Sequence, residues 1–541
     1  MQDHNKLYQR WQKYENIKLT DDEIKEKFGS YLEFGTAGLR GKMTVGTNAM
    51  NVYTVRHATQ GFANYILSRG GRERGVAVAY DSRINSKLFA TEAAAVITAN
   101  GIKVYLFDDI CPTPMLSFAV REFNCIAGIN ITASHNPKEY NGYKAYWEDG
   151  AQLSLEQAEA VSEYIRLTDI FDDVKKCGNN NLITIIDSSF DEKYLAQVKM
   201  QSVTQVENNL KIVYTPLHGT GGRVIPKLLK NLCVVPEQMI PDGNFPTAAF
   251  PNPEYIDVYA CGIKIAEEIH GDIIIANDPD ADRMGVMIRG HDGNFKLLTG
   301  NQTGALLLDY IITALDILPP HPYVVKTIVT SEIITKICEQ NGVKLHNVLT
   351  GFKFIAEVIK KESGRGNFLF GFEESYGYMR GTYVRDKDGI VAAMLFCEMA
   401  AYYKNLGITM ADALENLYAK YGKYIEETEN LYYEGIDGAA KMKIIMEHLR
   451  SNPPESLGGE DVAVIRDYLS GEVTDLRTGE ITSTELASSN VLYYQTAEGN
   501  VTVIRPSGTE PKIKIYYLLH EPAEVERFKA DMEKIINQNH K

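Results

Sequence analysis

The chain has 541 residues, enough for roughly three to five domains, each with its own core. Its 71 acidic against 56 basic side chains leave a formal charge of -15, which argues against nucleic acid or an anionic membrane as partner and requires any anionic ligand to be drawn in locally. Seven cysteines without a Cys-x-x-Cys pair, a polar N-terminus and a longest apolar stretch (305–318) broken by Asp309 and Asp316 fit a reduced cytoplasmic protein with no signal peptide, no membrane span and no evident obligatory protein partner.

In chain order, the first strand-length apolar run is 75–80, followed by a helix-like stretch at 91–100. The run 125–131 then leads directly into Thr132-Ala133-Ser134-His135-Asn136-Pro137. Pro137 stops the strand, because proline fixes its own φ and pushes the preceding residue away from helix. Ser134 is thereby delivered into a turn as a candidate nucleophile, and the turn at Asn141-Gly142 lets the chain fold back and bring Lys144 near it.

Further strand-like runs follow at 210–214 and 272–277, and the second ends in Asp278-Pro279-Asp280-Ala281-Asp282-Arg283. Three carboxylates at alternate positions of a short loop repel one another unless a cation lies among them, and hard oxygen ligands select magnesium or calcium. An EF-hand is excluded, since its sixth and twelfth positions would be Arg283 and Arg289 instead of glycine and glutamate. A structural calcium loop stays open, but a guanidinium beside the metal makes more sense when a phosphoryl group bridges the two.

The run 323–329 adds another strand, and the apolar 367–369 leads into Phe370-Gly371-Phe372-Glu373-Glu374-Ser375-Tyr376-Gly377, whose carboxylates and hydroxyl suit sugar hydroxyls. A Pro/Ser/Gly segment at 451–459 interrupts the pattern before alternating runs at 491–494 and 501–504, which predict an antiparallel sheet. Arg505-Pro506-Ser507-Gly508-Thr509-Glu510-Pro511-Lys512 then offers a cation, two hydroxyls and close backbone N–H groups, a phosphate cradle, ahead of a closing helix at 523–536. Alternating strands and helices predict sheets covered on both faces, with ligands at the strands' carboxyl ends.

The serine loop, the three-aspartate loop, the Phe372 to Gly377 loop and the Arg505 to Lys512 loop, together with Phe34-Gly35-Thr36-Ala37-Gly38-Leu39-Arg40-Gly41, stand in the order found in the α-D-phosphohexomutases. The chain resembles the longer bacterial phosphoglucomutases and phosphomannomutases, whose relatives include phosphopentomutase-active enzymes. Further matches lie at Tyr80-Asp81-Ser82-Arg83, in 215–221, in 298–304 and in 350–355. The resemblance implies three consecutive α/β domains with mixed sheets (1–190, 191–304, 305–425) and a smaller C-terminal α+β domain with an antiparallel sheet (426–541), around a central cleft.

It also implies a mechanism. Ser134 would carry a phosphoryl group and share Mg2+ with Asp278, Asp280 and Asp282. Arg505, Ser507, Gly508 and Thr509 would hold the phosphate already on a phosphosugar, and glucose 1,6-bisphosphate would form and turn end for end. Glu373 and Ser375 would read the sugar, with Gly351 and Lys353 also on the substrate side. Arg283 and Arg40 would stabilise charge, and His135 would contact the phosphoserine. Lys144, its pKa depressed by neighbouring cations, and Lys387, in Arg385-Asp386-Lys387-Asp388-Gly389, both stand as acid/base candidates. The sugar loop lacks the Gly-Glu-x-Ser-Gly-His of many bacterial phosphomannomutases, which leans toward glucose. A haloacid dehalogenase-type phosphatase, with Asp278 as nucleophile, would usually carry Thr or Val where Asp282 stands, and a silent sugar-phosphate binder would not need Ser134 and all three aspartates.

Overall fold

The computed structural model describes residues 4–35, 38–433, 438–507 and 512–537. Three mixed α/β sheets follow one another along the chain, and a fourth, antiparallel sheet closes it. The first has six strands in the order Leu39–Lys42, Tyr140–Trp147, Ala127–Ile131, Val76–Tyr80, Val104–Phe107, Ile183–Ile186. In Val76–Tyr80 the sequence Val-Ala-Val-Ala-Tyr puts Val76, Val78 and Tyr80 on one face, against Phe62, Ile66 and Ala90. Ala77 and Ala79 face the other way, in a core with Met115, Leu116 and Ala119. Both faces are buried, so the strand reads as a continuous apolar run while keeping its period of two.

The second sheet runs Phe295–Leu297, Met284–Arg289, Ile273–Asn277, Ile212–Thr215, Leu232–Val234, and the third Lys344–Val348, Pro322–Thr327, Asn367–Glu373, Gly377–Met379. These sheets share one pattern with the first. Two parallel strands and a third parallel strand form the middle, and that third strand turns back through a short hairpin into an antiparallel neighbour. The hairpins join Ala127–Ile131 to Tyr140–Trp147, Ile273–Asn277 to Met284–Arg289, and Asn367–Glu373 to Gly377–Met379. They hold the serine, aspartate and sugar loops respectively.

Each hairpin contains a non-glycine residue in the left-handed region: Ser134 (φ 53°), Ala281 (φ 53°) and Tyr376 (φ 66°). Such a conformation costs about 1 kcal/mol or more and is kept where the surroundings over-determine it, as at ligand-binding loops. One continuous apolar core links all three sheets, from Ala77 through Ile275 to Phe372.

The C-terminal sheet is antiparallel at every pairing. Its strict alternation serves two masters. Leu492, Tyr494, Ile504, Ile513 and Ile515 pack on the domain's own helices through Leu449 and Phe528, whereas Tyr493, Val501, Val503, Tyr516 and Leu518 pack on Ile328, Val329 and Leu349 of the third unit. The expected bounds at 190/191 and 304/305 lie within the helices Ser189–Lys199 and Gly300–Ala314, and the one at 425/426 lies at the start of the strand Ile425–Tyr432.

Candidate active site

The serine loop and the aspartate loop meet. Ser134, 3% exposed, donates from Oγ to Asp278 Oδ2 at 2.8 Å, and His135 Nδ1 lies 3.2 Å from the same Oγ. Asp278, Asp280 and Asp282 are wholly buried, each with a carboxylate oxygen within 4.8 Å of the others'. Among the described residues, Asp280 Oδ1 and Asp282 Oδ1 have no hydrogen-bond partner. Burial and the charges of Asp280 and Asp282 push the Asp278 carboxyl well above its ordinary range. Burial acts upward on both Asp280 and Asp282, joined at Asp280 by repulsion from Asp282, but Lys144 overrides this in both and Lys387 adds to the effect at Asp282, so both are held down. Buried, crowded carboxylates with orphaned oxygens are the donor set a hard divalent cation needs.

The turn expected at Asn141-Gly142 is strand instead, and the chain folds back before Tyr140. Lys144 lies on the strand Tyr140–Trp147, paired with Asn130, and its ammonium donates to Asp280 Oδ2 at 2.7 Å and Asp282 Oδ2 at 3.0 Å. The expectation of a depressed pKa is overturned: burial acts downward, but the two aspartates outweigh it and hold Lys144 above the ordinary lysine range. Lys387, from the third unit, reaches the same Asp282 oxygen at 3.2 Å and is likewise held up by Asp282 and Asp386 against burial.

Arg283 donates to Glu254 Oε1 at 2.7 Å, and its backbone N–H donates to Asp278 Oδ1 at 3.0 Å. Arg40 donates to Asn136 Oδ1 at 3.1 Å, inside the serine loop. His135 is held well below the ordinary histidine range by burial and by Arg283 and Arg40, so it is neutral.

The sugar loop adjoins this centre through the isolated bridge between Arg283 and Gly377 and the bond from Met284 N to Tyr376 O at 3.1 Å. Glu373, at the end of its strand, accepts from Gly351 N at 2.8 Å. Beside Gly351, the buried Lys353 Nζ and Thr350 Oγ1 have no hydrogen-bond partner among the described residues, and burial pulls the Lys353 ammonium down to about 8. Ser375 is half-buried in the loop itself. Arg505 stands opposite Lys514 at the end of Val501–Pro506, and Ser507 N donates to Lys512 O at 2.8 Å. Gly508 and Thr509 lie outside the described residues. Burial and Glu373 push Glu374 up to about 7 while Lys514 and Arg505 pull it back, so the basic edge of the C-terminal domain faces the sugar loop.

Several residues that build the site carried no role in the sequence reading. Arg83, with its side chain fully buried against Asp81 at 3.3 Å, donates to the carbonyls of Ser134 (2.6 Å), Pro137 (2.9 Å) and Tyr140 (3.1 Å), and also to that of Asn136. It holds the whole serine loop from beneath. Its position just past the strand Val76–Tyr80 in a matched motif was the signal. Thr113, the first residue of the helix Thr113–Glu122, donates from Oγ1 to Asp280 Oδ2 at 2.7 Å and from its backbone N–H to Asp280 O at 2.8 Å.

Models of the phosphoglucomutase/phosphomannomutase family match four stretches: α/β/α domain I over 31–169, domain II over 192–291, domain III over 299–421 and the C-terminal domain over 473–535. A phosphoglucomutase of Staphylococcus aureus (strain N315) is 39% identical over 513 residues, covering 93% of this chain and 92% of its own. Among solved structures, a phosphoglucomutase/phosphomannomutase family protein from Burkholderia thailandensis superposes with a TM-score of 0.70 at 17% identity, over 94% of this chain and 98% of that one. Parafusin, a phosphoglucomutase from Paramecium, captured in an open form, superposes at 0.67 and 18% identity, over 94% and 95%. Four ordered domains, three of them ending their central hairpins in the serine, aspartate and sugar loops, make this chain a member of the phosphoglucomutase/phosphomannomutase family.

Proposed function

We propose that the protein is a phosphoglucomutase, interconverting α-D-glucose 1-phosphate and glucose 6-phosphate through a phosphorylated Ser134 and a glucose 1,6-bisphosphate that turns over within the site and also serves as activator. The reading is carried by Ser134 Oγ, 2.8 Å from Asp278 among three buried carboxylates of which two keep an oxygen with no hydrogen-bond partner among the described residues. Asp278, Asp280 and Asp282 would hold Mg2+ together with an oxygen of the phosphorylated Ser134. When bound, the ion neutralises charge on the transferred group.

The chain's own residues divide the remaining work. Arg505, Ser507, Gly508 and Thr509 anchor the phosphate already on the sugar, and Glu373, Ser375 and Gly351 orient its hydroxyls. Lys353, a buried ammonium without a hydrogen-bond partner among the described residues, supplies a cation to the ligand. Lys144 and Lys387, whose ammonium groups reach Asp280 and Asp282, bring positive charge to the phosphoryl oxygens, and one of them would return a single proton to the seryl oxygen as it leaves. His135, neutral and 3.2 Å from Ser134 Oγ, is a base beside the reacting bond, and Arg283 and Arg40 add positive charge around it. Positioning and charge stabilisation supply most of the acceleration in phosphoryl transfer. The sugar-loop sequence and the phosphoglucomutases among the relatives favour glucose. We further propose a cytosolic enzyme: all seven cysteines are free thiols, and no described helix is long and apolar enough to cross a membrane.

The test is kcat/KM across purified sugar 1-phosphates with Mg2+, for wild type and Ser134→Ala. Glucose 1-phosphate should rank first, and the variant should fall by at least about 10³-fold, as removal of a covalent carrier does. A variant as active as wild type rejects Ser134 as carrier.

A further inference from the structure

Asp386 is 1% exposed and lies where the first and third units meet. Its Oδ2 accepts from the Tyr146 hydroxyl at 2.8 Å and from Gln152 Nε2 at 2.8 Å, both in the first unit. Its Oδ1 accepts from the Lys387 backbone N–H at 2.8 Å and lies 3.8 Å from Lys387 Nζ. Tyr146 follows Lys144 by two residues on the strand Tyr140–Trp147, so both side chains leave the same face. Lys144 and Lys387 both reach Asp282 Oδ2, at 3.0 and 3.2 Å.

A closed circuit results: Lys144 and Tyr146 on one strand face, Tyr146 to Asp386, Asp386 to Lys387, and both lysines to Asp282. Lysine is a flexible point charge on a four-carbon stem, and without a brace it loses rotamer freedom each time it is placed. Burial and the Asp386 charge push the Tyr146 hydroxyl well above its ordinary range, so it remains a donor. Among the ion pairs of the described residues, Asp386 meets the aspartate cluster through Lys387, and its charge is also felt by Lys144.

We propose that Asp386 is a positioning residue for the phosphoryl transfer, fixing Lys387 through Tyr146 and Gln152 so that lysines from two different units flank the metal-loop carboxylate Asp282. The inference rests on the phosphoglucomutase reading of this site, whose own test is the wild-type activity and its loss in Ser134→Ala.

The experiment is a double-mutant cycle in the full-length protein with glucose 1-phosphate, comparing Asp386→Asn, Tyr146→Phe, Lys387→Met and the doubles Asp386→Asn/Lys387→Met and Tyr146→Phe/Lys387→Met. Rates too low for a coupled assay are read as phosphoryl loss from Ser134 by intact mass over hours. Asp386→Asn should lower kcat about 10- to 100-fold with KM within about twofold, and Tyr146→Phe should lower it about 3- to 10-fold. In the Lys387→Met background neither should lower kcat further. A merely structural carboxylate gives the same factor in both backgrounds, and that additivity overturns the proposal. So does a Lys387→Met variant with wild-type kcat. If Asp386→Asn does not fold, Tyr146→Phe, which leaves the carboxylate in place, decides by the same criterion. An inactive wild type would instead strike the underlying reading.

Discussion

Lys353 carries a buried ammonium with no hydrogen-bond partner among the described residues, and burial pulls its pKa down to about 8. Below that value it is a cation, which the phosphoglucomutase reading proposed above sets against an anionic sugar, and as pH rises through it the charge is lost. The kcat/KM of the free enzyme should therefore decline on the alkaline side with an apparent pKa near 8, and Lys353→Met should lower kcat/KM and remove that limb of the pH profile. An unchanged limb in the variant separates Lys353 from substrate binding. At this scale much was legible: a serine after an apolar run and three aspartates at alternate positions are patterns whose chemistry depends on local sequence. The protonation of Lys144 was not, because it is set by Asp280 and Asp282, which lie more than a hundred residues away and meet it only once the units pack.

Three elements with the same shape carry the three loops, and each loop is buttressed from outside its own hairpin. Gly219, in a matched segment of no assigned role, packs so tightly that a Cβ would lie 2.4 Å from Pro279 Cα in the aspartate loop. Gly219→Ala should raise the Mg2+ concentration for half-maximal activity about 10-fold or more, as loss of support around metal ligands does, measured by metal titration of initial rates. Arg83→Met would leave Asp81 buried without its counter-ion, and breaking such a pair costs roughly 3–5 kcal/mol. Chemical denaturation followed by a probe in the first unit should detect that loss, together with a lowered kcat from the slackened serine loop. The strand positions were readable from apolar runs and turn residues, but the shared strand order was not, because each sheet fills its two faces with different side chains while keeping the same path. The sugar loop also proved shorter than the motif implied: Glu373 belongs to the strand, leaving Glu374, Ser375 and Tyr376 to turn the chain.

Across the whole molecule, an acidic chain gathers cations at one place. Lys144, Lys387, Arg283 and Arg40 surround the serine and aspartate loops, and Arg505 and Lys514 approach from the C-terminal sheet, where Lys514 feels both Glu374 and Glu254. Glu254 also holds Arg283, so the aspartate loop and the C-terminal basic edge border the same acidic residue. Arg505→Gln should raise KM by the worth of a charge-assisted hydrogen bond, about 1.5–3 kcal/mol or roughly 10- to 150-fold, with a smaller effect on kcat. The alternating sequence of the last sheet foretold an antiparallel fold, but not that its second face would seat on Ile328, Val329 and Leu349, since partner surfaces leave no local signature. The most direct test of the stored phosphoryl group is to incubate the enzyme with glucose 1,6-bisphosphate and Mg2+ and map the covalent phosphate by mass spectrometry, with and without hydroxylamine. A single hydroxylamine-stable phosphate on Ser134, absent from Ser134→Ala, is the expected result; a hydroxylamine-labile acyl phosphate on Asp278 would contradict it.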